Sequence, residues 1–150
     1  DKALEISYHK SLLLDNDSVE AAAMLHDIGI FLTDAPGIHC HGTHPYLAHG
    51  RLGADLLRSL NAPEKLARVA ERHTGTGLTA NDLPRFGGIL PDDRSYMPET
   101  LLERLICYAD KFYSKNGDMK EKSLDRIRAS LAKFGAEALD RFEKLHKEFG

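Results

Sequence analysis

The stretch Ala21-Ala22-Ala23-Met24-Leu25-His26-Asp27-Ile28-Gly29 decides the fold: an almost wholly apolar helical run that ends on a neighbouring His and Asp before a glycine. Val19, Ala22, Ala23 and His26 fall at i, i+3, i+4 and i+7, which puts His26 on a core-facing stripe, while Met24, Leu25 and Ile28 make the rest of the helix apolar too. An ionised Asp27 in such surroundings is costly to desolvate unless a cation or several donors meet it. A divalent metal would make the same carboxylate favourable.

Outward from this run the same register recurs three times. His49 shares a face with Leu52, Gly53, Leu56 and Leu60, and His73 shares one with Leu66, Val69 and Ala70. Asp110 lies one turn past Ile106, on the face of Leu102, Leu105 and Ala109. Singly, each would read as a hydrogen-bonded core His or a capping or salt-bridged Asp. Together, His26, Asp27, His49, His73 and Asp110 on inward stripes of four helices are hard to satisfy cheaply without a shared ion.

The chain has 150 residues, 42% hydrophobic and 29% charged, which suits one domain with a sizeable core. A net charge of −3 gives no basic footprint, so nucleic acid is not an expected partner and any phosphate affinity must be local. Two cysteines, Cys40 and Cys107, form no disulfide framework and fit a reducing, cytoplasmic setting. No apolar run reaches the roughly 18 residues of a membrane span.

In order, Asp1–Leu14 reads as a helix already under way at its first residue, followed by the turn Asp15-Asn16-Asp17. Ser18 is the expected cap of the next helix, and Gly29 its left-handed terminus. Phe31–His44 reads as loop. Its His39, Cys40 and His41 match no structural zinc spacing, whereas His44, just before the His49 helix, is a candidate substrate contact. A helical hairpin follows, Pro45–Leu60 and Glu64–His73, with Pro63 opening its second arm.

Thr74–Pro98 is long and irregular, rich in Gly and Pro, with a short helix at Ala80–Leu83; such a segment suits a site cover. Arg85, Arg94 and Tyr96 within it are candidates for gripping an anion, Arg94 foremost. The helix opened by Pro98-Glu99-Thr100 runs to about Tyr113, and its Lys111 either neutralises a substrate phosphate or lies along the surface. Beyond the polar connection Asn116–Lys122, two amphipathic helices hinged at Gly135 either close the core or pair with a second copy as a homodimer.

Imidazole and carboxylate without thiolate favour Zn, Mn, Fe, Co or Ni. Five ligands exceed one open site. With Asp27 as catalytic bridge between two divalent ions, His26 and Asp110 serve one ion and His49 and His73 the other. Such a centre suits hydrolysis of a phosphomonoester or phosphodiester by a metal-bound hydroxide, with His44, Arg94 and Lys111 holding a small phosphorylated substrate. Two other readings stay open: a non-catalytic pocket that binds a nucleotide for signalling, and a metal-free polar core.

The ordered series Leu25-His26-Asp27-Ile28-Gly29, His49, Arg72-His73, Gly75–Thr79, Pro98-Glu99-Thr100-Leu101 and Ala109-Asp110 resembles the HD-domain metal-dependent phosphohydrolase superfamily, and within it the small HDIG-type proteins. That resemblance implies an all-α helical bundle of about six or seven helices with a long irregular loop, a site between helices, and one or two divalent transition-metal ions. It implies hydrolysis of phosphate esters, often of nucleotides, with His26, Asp27 and Asp110 as core ligands and His49 and His73 as the additions of two-metal members. The superfamily's first His ligand would fall several residues before Asp1, so residues 1–150 read as a single HD domain shortened at its first helix. His9 is no substitute, since at about 1.5 Å per residue it stands roughly 20 Å from that position.

Overall fold

A computed structural model describes residues 1–114 and 120–150. Among them lie seven helices: α1 (Lys2–His9), α2 (Asn16–Leu25), α3 (His49–Ser59), α4 (Glu64–Arg72), α5 (Leu101–Asp110), α6 (Leu124–Ala132) and α7 (Ala136–Phe149). The strands β1 (Asp34–Ala35) and β2 (Cys40–His41) form a small antiparallel ladder with Asp34 opposite His41. The fold is all-α, with a long irregular segment between α4 and α5, as the sequence predicts. Residues 116–119 of the expected polar connection lie outside the described residues.

Helix α5 is the axis. Its Leu102, Leu105, Ile106, Cys107, Tyr108 and Ala109 are all buried, and it packs against α1, α2, α4 and α7. Its start is fixed by Thr100, whose hydroxyl accepts from the Glu103 N–H and donates to the Glu103 carboxylate. On α4 the buried set is Leu66, Ala67, Val69, Ala70 and Glu71, with His73 buried at the cap. The expected Leu66, Val69, Ala70, His73 face is therefore present. The tail takes the first of its two expected places: Phe142, Leu145 and Phe149 of α7 join the main core, with Phe142 and Phe149 against the ring of Tyr108.

Several local expectations are corrected. Helix α1 stops at His9, because Ser11 turns the chain with a φ of 50°, and Asp1 caps it by accepting from Ala3 N and Leu4 N. Asp15, not Ser18, caps α2. Its carboxylate accepts from Ser18 N at 2.8 Å and from the Ser18 hydroxyl at 2.7 Å, so the serine is a partner of the cap. The segment after Leu32 is an ordered hairpin rather than plain loop, and the short helix expected at Ala80–Leu83 is instead a 3-10 turn at Leu83–Phe86.

Gly29 is not a left-handed terminus. It lies inside the 3-10 turn Ile28–Leu32, where a Cβ would sit 2.2 Å from the His49 carbonyl oxygen and 2.4 Å from Gly53 N. Only a glycine lets the end of α2 approach the start of α3 this closely. The same contact rotates α3 away from the expected leucine face: its buried residues are His49, Gly50, Gly53, Ala54 and Leu57, while Leu60 is 65% exposed. A Cβ on Gly50 would come within 2.7 Å of the Ala70 carbonyl oxygen, so α3 seats its glycines, with Ala54 and Leu57, against its neighbours, and not Leu52, Leu56 and Leu60.

Candidate metal centre

The ends of helices make the site. His26 is the C-cap of α2, His73 the C-cap of α4 and Asp110 the last residue of α5, while His49 opens α3. Each imidazole turns Nδ1 back to the carbonyl three residues earlier: His26 to Ala23 at 2.6 Å, His49 to Tyr46 at 2.7 Å and His73 to Ala70 at 2.7 Å. A carbonyl oxygen can only accept, so each Nδ1 carries the proton and donates. The tautomer is thereby set, and a neutral ring turns the lone pair of its Nε2 inward.

Those inward atoms converge with two carboxylates. The His49 and His73 Nε2 atoms are 2.9 Å apart. His26 Nε2 lies 3.1 Å from Asp27 Oδ2 and 3.1 Å from Asp110 Oδ1. The other Asp27 oxygen, Oδ1, faces His73 Nε2 at 3.1 Å and His49 Nε2 at 3.5 Å. Asp27 thus turns one oxygen to each side. The donor atoms fall into two groups, His26 with His73 and Asp110, and Asp27 with His49 and His73, each within 4.8 Å of one another. The expected division gave His73 to one ion; here it reaches into both groups.

Charge in the cluster is strongly redistributed. Burial alone would raise the pKa of Asp27, but hydrogen bonds from His26, His49 and His73 outweigh it and hold the carboxyl far below the ordinary range. Burial opposes a charge on His26, yet its bonds to Asp110 and Asp27 push the imidazole up to about 10. Burial pulls His73 down to about 4. With both Nδ1 protons given to carbonyls, the Nε2 atoms of His49 and His73, 2.9 Å apart, have only lone pairs to offer one another unless a ring takes a second proton, and a cation between them would meet both. The residues therefore fit a divalent metal, by the chemistry of the donor set.

Two cavities flank the centre. One of about 820 Å³ reaches His49, His73, Asp110 and Lys111 at its inner end; another of about 630 Å³ opens on His26, Asp27 and Asp110. Lys111 donates to Asp110 Oδ2 at 2.9 Å and to the His73 carbonyl at 3.1 Å, so it stands beside the centre rather than along the surface. The structure does not bring His44 or Arg94 there. His44 is exposed, its backbone tied to Leu32 and Asp34. Arg94 is held by Asp55 at 2.7 Å, Asp93 at 2.8 Å and Glu71 at 3.3 Å, which spends its guanidinium on carboxylates. His9 is exposed at the end of α1, its ring against Tyr8.

Sequence reasoning missed Tyr46, whose carbonyl orients His49 and whose ring stacks on it at 4.7 Å. The signal was its place three residues before a histidine at a helix start. It also read Leu131 and Phe134 only as part of an amphipathic stripe, with nothing in that spacing to show that they wall the larger cavity.

Comparison with known proteins agrees with this geometry. The family model described as HD domain matches residues 3–114. A protein of Thermoplasma volcanium named tRNA (cytidine(56)-2'-O)-methyltransferase is 33% identical over 147 residues, 97% of this chain and 38% of the relative. Its namesake in Picrophilus torridus is 32% identical over 135 residues, 89% of this chain and 35% of the relative. An uncharacterized protein of Methanocaldococcus jannaschii is 37% identical over 106 residues, 71% of this chain and 59% of the relative. The chain thus spans less than two thirds of the length of each of these curated relatives, and no solved structure matches it. With the family model covering all four ligand-bearing helices, α2, α3, α4 and α5, in one continuous match, the chain belongs to the HD-domain family.

Proposed function

We propose that this chain is a metal-dependent phosphohydrolase that cleaves a phosphoester in a nucleotide or another small phosphorylated molecule. The observation that carries the reading is the convergence of the Nε2 atoms of His26, His49 and His73 with the carboxylates of Asp27 and Asp110, between two cavities that both reach Asp110. His26, Asp27, His49, His73 and Asp110 would hold one or two divalent ions. When bound, such ions supply Lewis acidity at the phosphoryl oxygens and an activated water. Overall, hydrolysis would join a water oxygen to phosphorus, break the ester P–O bond and pass a water proton to the departing oxygen, giving an alcohol and a phosphate.

The chain's own groups have separate tasks in that reaction. Asp27, with one oxygen toward each donor group, is the residue best placed to join two ions. Lys111 brings a positive charge to the end of the cavity where a phosphate would lie and steadies Asp110. The backbone carbonyls of Ala23, Tyr46 and Ala70 keep the imidazoles aimed.

A second reading places the phosphate ester in an RNA. The tRNA in the names of two relatives favours it; the chain's net charge of −3 speaks against a broad backbone contact. Both readings are tested by elemental analysis of the full chain together with turnover of a panel of phosphomonoesters, phosphodiesters and short RNAs, before and after chelation. The expected result is about one to two metals per chain and turnover that a chelator abolishes and Mn²⁺ restores. Full metal loading with no turnover on any substrate would overturn the hydrolase, and a chain that takes up no metal would overturn the centre itself.

A further inference from the structure

The larger cavity is not built by the family-matched residues alone. Its outer wall comes from the tail, where Leu131, Phe134, Ala138 and Arg141 face it from beyond residue 114. Three hydrogen bonds tie that wall to the segment after α4: Thr76 Oγ1 donates to the Ala138 carbonyl at 2.9 Å, Arg141 Nη2 to Gly77 O at 3.1 Å, and Arg85 Nη1 to Phe134 O at 3.4 Å. Wall and loop are therefore joined at three points.

Charged and aromatic groups both line the cavity. At its inner end are His49, His73 and the ammonium of Lys111, suited to an anion. Aromatic rings of Phe86 and Phe134 line it as well, while that of Tyr46 stacks on His49 beside the centre. Phe134 is 67% exposed, although neighbouring Leu131 is buried, so its ring is left at the rim instead of being drawn into the core. An exposed ring beside an anion-seeking pocket of about 820 Å³ suits a ligand with a charged end and a flat one.

Resting on the phosphohydrolase reading, we propose that the α6–α7 tail is the specificity wall of this site, and that Phe134 stacks on the aromatic base of a nucleoside phosphate whose phosphate lies at the Lys111 end. The tail then selects the organic part of the substrate, while the centre acts on the phosphate alone.

The test uses the full chain and two readouts. In the first, quenching of 2-aminopurine riboside fluorescence reports base stacking with no hydrolysis required. In the second, the Mn²⁺-loaded chain is assayed on adenosine 5′-monophosphate and on ribose 5-phosphate, which has the same phosphate and no base. Phe134→Ala is expected to weaken the quenching and to raise KM for the nucleotide about tenfold, within the range of base–aromatic stacking, with kcat and both ribose 5-phosphate constants unchanged. Phe134→Tyr, which keeps a ring, should match the unaltered chain. The wall is overturned if the unaltered chain does not quench the probe, if Phe134→Ala behaves like it, or if Phe134→Tyr fails as Phe134→Ala does. Phe134-dependent quenching without turnover of any phosphate ester would uphold the wall and sink the hydrolase; turnover indifferent to Phe134 would do the reverse.

Discussion

Two ionic clusters share helices α4 and α5, and they are built on opposite rules. Around Glu71 and Glu103, both buried, each carboxylate meets guanidinium groups: Arg58 reaches Glu71 at 2.9 and 3.0 Å and Arg94 at 3.3 Å, while Arg72 reaches Glu103 at 2.9 Å and Arg68 at 3.2 Å. Fixed positive charges answer fixed negative ones. At the His26–Asp27–His49–His73–Asp110 centre, the Nδ1–H groups are spent on backbone carbonyls and the atoms turned inward are imidazole Nε2 atoms and carboxylate oxygens. The first cluster is complete in the chain itself and holds helices together; the second is a set of bases that gains most from an added cation. Glu71 stands only two residues before His73, so the two rules meet within one turn of helix.

The strongest way to break this contrast is at Asp27. Asp27→Ala removes the carboxylate that faces both donor groups, and the expected result is loss of most bound metal with a fall in turnover on the order of 10³-fold. Metal content by elemental analysis and a phosphoester assay read the two effects. A variant that keeps full metal and activity would make the centre another self-sufficient polar network, like that of Glu71. The converse test is Glu71→Gln, which should leave metal per folded chain unchanged and lower unfolding free energy by about 2–3 kcal/mol in a denaturant titration. That figure lies below the roughly 3–5 kcal/mol of a fully buried pair because the Arg58 side chain is 34% exposed and partly hydrated. Metal loss in step with stability would show the two clusters to be one unit.

The same contrast explains what could be read from the sequence. His26, His73 and Asp110 were legible because ligand type and helical period are both local, and each residue ends its own helix on an apolar stripe. The caps were half legible: Asp15 and Ser18 are both good capping residues within one turn, and only the extended backbone at Asp15 decides between them. The face of α3 was legible only in part: His49 and Gly53 are buried as expected, but a hydrophobic count also favours Leu52, Leu56 and Leu60 while the closest contacts are made by Gly50 and Gly53 against the backbones of Ala70 and Gly29. Nor was the place of Arg94. An arginine in an irregular segment reads equally well as an anion grip or as a tie, and the choice belongs to Asp55 and Glu71, 39 and 23 residues away.

The smallest expected effect sharpens the contrast at the far end of α5. Thr100 caps the helix and donates to Glu103 at 2.7 Å, so it belongs to the self-sufficient network. Asp110 lies ten residues on, about 15 Å along the axis at about 1.5 Å per residue. Thr100→Ala should therefore cost about 1 kcal/mol, the ordinary value of a lost cap, and lower Tm by about 2–4 °C in thermal unfolding. Because the change touches only the network, the further drop in Tm caused by a chelator should be the same in Thr100→Ala as in the unaltered chain. A smaller chelator effect in the variant would mean that the cap positions Asp110 through the whole length of α5, and the separation between a cluster that holds the fold and a cluster that holds an ion would then be lost.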